Sequence, residues 1–180
     1  MIVIRTNHDP QTSYLYEWTA PLIAEAEQRG FKVNRIEGKD ITLKRILSVL
    51  KSRKVRFIFF NGHGTDDSLY DNGQQPFIDA SSASAFKDAV AFTRSCDSLK
   101  TLGGAAVSAG CPAFIGYKKK FWIAHSHKRE CQPLKDDVAR PIIECSNVVV
   151  HELLKGRTVE DAVKRSQEKS AEQIIRLIWS

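Results

Sequence analysis

Val55-Arg56-Phe57-Ile58-Phe59-Phe60-Asn61-Gly62-His63-Gly64 is the segment on which the fold reading turns. Val55 to Phe60 is an almost continuous apolar run, which is how a strand covered on both faces reads. It stops at Asn-Gly, a chain-turning pair, and a histidine stands immediately beyond. Ala89 to Phe92 (AVAF) repeats the pattern and leads into Thr93-Arg94-Ser95-Cys96-Asp97-Ser98. Met1 to Thr6, Phe31 to Ile36 and Ala113 to Tyr117 are three further strand candidates.

Helical periodicity fills the intervals. Leu15, Trp18, Leu22 and Ala26 recur at three- and four-residue spacing and end at Gly30, with Pro21 predicting a kink or a start near Thr19. Asp40 is placed to cap a helix carrying Leu43, Ile46, Leu47 and Leu50. Leu99 to Ala109 is small and apolar, with Gly103 and Gly104 inside, and reads as a helix lying close to the sheet. A polar, basic loop spans Lys118 to about Gln132. Two closing helices follow, one stopped at Lys155-Gly156. The other opens at Thr158-x-x-Asp161 and is expected to bury Ala171, Ile174, Ile175 and Ile178. The stretch around Ser81 to Ala85 reads as a connector or weak helix start; it has no glycine pattern for holding phosphate.

Strand–helix alternation of this kind predicts parallel strands with helices on both faces. The expected fold is a single α/β domain over residues 1–180: a three-layer, parallel-sheet sandwich of flavodoxin-like type, with functional residues at the carboxyl ends of the strands. The composition fits a globular domain: 42% hydrophobic and 27% charged in 180 residues. No apolar stretch approaches the ~20 residues of a membrane span. No secretion signal is read at Met1-Ile-Val-Ile-Arg5, and four scattered cysteines suggest a reduced, cytoplasmic setting. The net charge of +6 brings no nucleic-acid motif with it, so neither nucleic acid nor membrane is expected as a partner.

If the two apolar strands are parallel neighbours, their ends lie about 5 Å apart on one sheet edge. His63 and Cys96 then stand side by side, 33 positions apart in sequence. A thiolate is the reactive form of cysteine, and an imidazole beside it takes up its proton and later protonates a leaving amine. A helix following Cys96 adds a dipole favourable to the thiolate. Gly64, lacking a Cβ, lets its N–H approach a substrate oxygen, and with the N–H of Cys96 it forms a candidate oxyanion hole. These parts suit acyl transfer.

FIFFNGHG and AVAFTRSC together resemble the caspase–hemoglobinase fold of clan CD cysteine peptidases, which includes caspases, gingipains, separases and CHAT domains. The segments Cys96-Asp-Ser-Leu-Lys-Thr-Leu-Gly103, Ala109-Gly-Cys-Pro-Ala-Phe-Ile-Gly-Tyr117 and Val150-His-Glu-Leu-Leu-Lys-Gly-Arg-Thr-Val-Glu-Asp-Ala-Val163, with the opening IVIRTNHD and TSYLYEW, look most like bacterial CHAT-type and gingipain-like members. Gln-Ala-Cys is replaced by Arg94-Ser95-Cys96, and the His–Cys interval is shorter than the ~50 residues usual in caspases. The resemblance implies a cysteine endopeptidase acting on protein or peptide substrates in a signalling or defence setting. His63 would be the acid/base, Cys96 the nucleophile, and Gly64 and Cys96 the oxyanion donors. With no acidic residue assigned to His63, a dyad is expected. Asp9 would line the P1 pocket and favour a basic residue, while Arg94 competes for the same place and would favour an acidic one.

The alternative is a catalytically inactive scaffold of the same fold that binds a regulatory protein partner, and the Lys118–Gln132 loop is a candidate processing or partner site. No metal or cofactor is expected. His125, His127 and Cys131 lack the second ligand pair of a zinc site, Cys111 and Cys145 read as packing, His8 as a surface histidine at the same sheet edge as His63, and His151 as structural.

Overall fold

A computed structural model describes residues 1–179. Its elements are β1 (Ile2–Arg5), α1 (Pro10–Gln28), β2 (Asn34–Glu37), α2 (Leu43–Ser52), β3 (Phe57–Asn61), β4 (Ser68–Tyr70), β5 (Pro76–Asp79), β6 (Val90–Arg94), α3 (Thr101–Ser108), β7 (Phe114–Ile115), α4 (Arg140–Leu154) and α5 (Val159–Ile178). Short 3₁₀ turns occupy the connections, the longest over Ala80–Phe86. Packing divides the chain into two units, one of residues 1–16 and 31–122, the other of residues 17–30 and 123 onward.

The first unit holds a five-stranded sheet in the order β2-β1-β3-β6-β7, with every neighbouring pair parallel. The α/β class and the parallel sheet flanked by helices are therefore as the sequence predicts. Side chains alternate across it. Ile2, Ile4, Ile58, Phe60 and Ala91 join Ile46 and Val49 of α2, Phe86, and Leu102 and Ala106 of α3 in one core. Val3, Phe59 and Phe92 are buried on the opposite face, where the Phe59 and Phe92 rings stack at 5.2 Å. The sheet order reverses between β1 and β3, so the crevice between their carboxyl ends is the topological switch point.

Several details depart from expectation. α1 runs through Pro21, and it begins at Pro10 because Asp9 caps it: Asp9 Oδ1 accepts from Thr12 N (2.7 Å), while Asp9 N donates to Thr12 Oγ1 (3.1 Å). Pro10 sits in the first turn, where a missing N–H costs nothing. Thr42, not Asp40, caps α2, accepting from Arg45 N, because Asp40 is used in a 3₁₀ turn. Leu47 is exposed, and Val49 is buried in its place. Only one of the two α3 glycines is needed for close packing: a Cβ on Gly103 would meet the Phe114 ring at 3.1 Å, while Gly104 has open space. The β4–β5 hairpin is additional to the predicted elements, and Asp71 organises its turn by accepting from Gly73 N (2.8 Å) and Gln75 N (2.9 Å).

At the carboxyl end of β1, Arg5 is buried and closes the β1/β2 edge. It donates to Glu37 through Nε (3.0 Å) and Nη2, and to Tyr16 O through Nη1 (2.9 Å), while Tyr16 Oη donates to Glu37 Oε2 (2.9 Å). Burial pushes the Glu37 carboxyl up, but these donors outweigh it and hold it below its ordinary 4.5. Its contribution is therefore present above that value and lost as pH falls through the lower folded-state value. Glu37→Gln is expected to cost about 1–2 kcal/mol at pH 7. In urea unfolding, the gap from the parent protein should close in acid.

In the second unit, α4 and α5 form an antiparallel helical hairpin around Gly156, whose φ of +80° suits the stop. Thr158 caps α5 by accepting from Asp161 N (3.1 Å), as its spacing predicts. The expected burial of Ala171, Ile174, Ile175 and Ile178 is not observed. All four are exposed, and Ala162 is the buried α5 residue. Ser166 donates to Cys145 O (2.7 Å), which sets the two helices' register. About five residues further along, α5 draws level with the start of α4, and its last turns run past it. No described helix is long and apolar enough to cross a membrane.

Candidate functional site

Asn61 and Arg94 are register partners at the carboxyl ends of β3 and β6. His63 and Cys96 each stand two residues beyond that pair, so the sheet delivers both to the same edge. Below them Arg94 is fully buried. Its Nε donates to Asn61 Oδ1 (2.7 Å), and its guanidinium lies 5.2 Å from the Phe59 ring centroid. Burial lowers its hold on its proton to about 10, which still leaves a cation at neutral pH. Arg94 thus ties the two strand ends together, and its buried side chain is not the exposed charge that the expected contact with an acidic P1 residue requires.

His63 meets an acid. Its Nε2 lies 2.5 Å from Asp9 Oδ2, one oxygen of the carboxylate whose other oxygen caps α1. Burial pushes the Asp9 carboxyl up, but the bonds from His63 and Thr12 outweigh that and hold it below the ordinary carboxylate range. An ionised Asp9 accepts from Nε2–H and leaves Nδ1 as the nitrogen available for proton exchange. Asp9 therefore faces His63, and an acid is paired with this imidazole where the sequence reading assigns none. Its signal was Asp9-Pro10-Gln11-Thr12, a helix cap with proline in the first turn, just past a strand that neighbours β3.

Gly64 forms an isolated antiparallel bridge with Leu69. The flanking bonds are Tyr70 N to His63 O (3.1 Å) and Thr65 N to Ser68 O (2.9 Å). Gly64 therefore occupies the non-hydrogen-bonded position of the pair, and its own N–H points away from β4. A Cβ there would come within 2.9 Å of Ser95 Oγ and 3.1 Å of Ser68 O. The His63 turn and the Cys96 turn approach each other across this glycine. Gly64→Ala is expected to cost about 1–3 kcal/mol of stability by forcing those turns apart. Thermal denaturation measures this, and any catalytic rate should fall with it.

Cys96 is half-buried, and its Sγ accepts from Phe121 N (3.4 Å). The following residue, Asp97, takes a left-handed φ of +56°, which turns the chain sharply after the thiol. The first amides of α3, Thr101 N and Leu102 N, donate to Asp66 O (3.0 and 2.8 Å) and not to the sulfur. The expected helix-dipole assistance is therefore directed at Asp66. Cys96 and Gly64 line one cleft of about 460 Å³, together with Asp66, Asp97, Lys100 and Trp122. Lys100 is committed to Asp97 at 2.6 Å.

Cys111 and Cys145 are buried, and burial pushes both thiols up. In the second unit His127 contacts Glu130 at 2.7 Å, His151 pairs with Glu25, and Cys131 is exposed. His8 packs edge-on against His63, with ring centroids 5.4 Å apart.

Among known proteins, no family model matches the chain and no curated relative is found.

Proposed function

We propose that the chain is a cysteine peptidase of the caspase–hemoglobinase type. The observation that carries the reading is the equal register of His63 and Cys96 beyond the paired Asn61 and Arg94, with Asp9 fixing the imidazole. His63 takes the Cys96 proton, and the sulfur attacks the scissile carbonyl carbon. The oxygen gains negative charge opposite the N–H groups of Gly64 and Cys96. The tetrahedral centre collapses as His63 protonates the departing amine, leaving a thioester. Water then loses a proton to His63, attacks the thioester and releases the acid and the thiol. Asp9 supports the imidazolium formed in each half, so a triad replaces the expected dyad.

The cleft also bears on substrate choice. Asp9 is committed to His63 and Arg94 is buried, while Asp97 is paired with Lys100. The Asp66 carboxylate lies at the cleft, with the Thr101 hydroxyl 3.4 Å away, and is positioned to meet a basic P1 side chain. A positional-scanning peptide library should show hydrolysis with Lys or Arg preferred at P1. No hydrolysis of any member would favour the non-catalytic scaffold that binds a protein partner.

A further inference from the structure

His8 is the residue that the proposed reaction leaves unexplained. Its side chain is only 13% exposed, and both ring nitrogens are buried without a hydrogen-bond partner. A buried imidazole in that condition forfeits its hydration with nothing in return, a state that calls for a missing partner. Its Nε2 lies 3.6 Å from Asp9 Oδ2, and the donor atoms of His8, Asp9 and His63 all fall within 4.8 Å of one another. Two imidazoles and one carboxylate form a donor set suited to zinc and its first-row neighbours. Bonds of about 2.0–2.2 Å in a tetrahedral site keep donors roughly 3.3–3.6 Å apart. The His8–Asp9 separation already meets that spacing. His63 reaches it by moving about 1 Å from Asp9, and its side chain is 35% exposed.

We propose that His8, Asp9 and His63 bind a divalent transition cation of the zinc class, and that the bound ion holds His63 away from proton exchange with Cys96. The ion replaces the proton shared by His63 Nε2 and Asp9, supplies the partner that His8 Nε2 lacks, and leaves a fourth position for water. Binding rests on the three donors alone; inhibition rests also on the peptidase reading above.

Binding is read on the full chain with Co²⁺ and Zn²⁺ as probes. Co²⁺ should give the visible absorption of a four-coordinate nitrogen–oxygen site, without the near-ultraviolet thiolate band that Cys96 ligation would produce. Zn²⁺ should displace it at one equivalent. His8→Gln and Asp9→Asn, each checked for folding by circular dichroism, should weaken Zn²⁺ binding by about tenfold or more. His127→Ala, in the Glu130 cluster of the second unit, should leave that binding unchanged. Absence of Zn²⁺ binding in the parent protein overturns the proposal, as does equal binding in both folded site variants. Binding through these residues by a chain that cleaves no peptide would support the cation site and contradict the peptidase reading. Cleavage of peptide that Zn²⁺ binding at this site leaves undiminished would overturn the inhibitory role.

Discussion

Cys96→Ala should reduce hydrolysis of the best library peptide by about 10⁴-fold or more, the order seen when the nucleophile of a hydrolytic triad is removed. The loss should fall on kcat. Methyl replaces thiol at a half-buried position where, among the described residues, the sulfur's polar contact is an acceptor role toward Phe121 N at 3.4 Å. That bond is long and weak, so the melting temperature should stay close to that of the parent protein. A large drop in melting temperature would instead place Cys96 among the packing residues. Cys111 supplies the contrast: its thiol is buried and donates to Ala89 O (3.2 Å), so Cys111→Ala should act on stability.

Asp9→Asn is the second large effect. Asn caps a helix almost as well as Asp, and its Oδ1 still accepts from Thr12 N, so α1 should persist. The atom facing His63 Nε2 changes from an anionic acceptor to an uncharged amide. The imidazolium loses its counter-charge, and the tautomer carrying its proton on Nε2 loses its preference. kcat should fall by about 10²–10⁴-fold with KM little changed. Were Asp9 a P1 residue, the same variant would raise KM for basic substrates and spare kcat, so the split between the two constants separates the roles.

The sheet and the two strand-end loops were legible because their signals are local. Long apolar runs at 55–60 and 89–92, each ending in a polar turn, specify buried parallel strands, and the position of His63 and Cys96 follows from counting. Asp9 reads from sequence as a substrate contact because its partner is 54 residues away, and only the placement of β1 beside β3 brings them together. Arg94 follows the alternation of β6 into the interior, but a charged residue at a strand end reads from sequence as exposed. The burial of α5 failed for a different reason. Its apolar spacing is real, but periodicity does not report where the neighbouring helix stops, and α4 begins too late to cover Ile174, Ile175 and Ile178.

In the proposed reaction, Cys96 is the sulfur that His63 and Asp9 make reactive. A peptidyl acyloxymethyl ketone with a basic P1 residue, followed by peptide mapping of the adduct, tests it most directly. The internal standard is Cys131, which is exposed and has no catalytic neighbour assigned to it. The prediction is a single adduct on Cys96, lost in His63→Ala, while iodoacetamide continues to modify Cys131 in both proteins. An adduct on Cys131 alone, or labelling of Cys96 at an equal rate with and without His63, would contradict it.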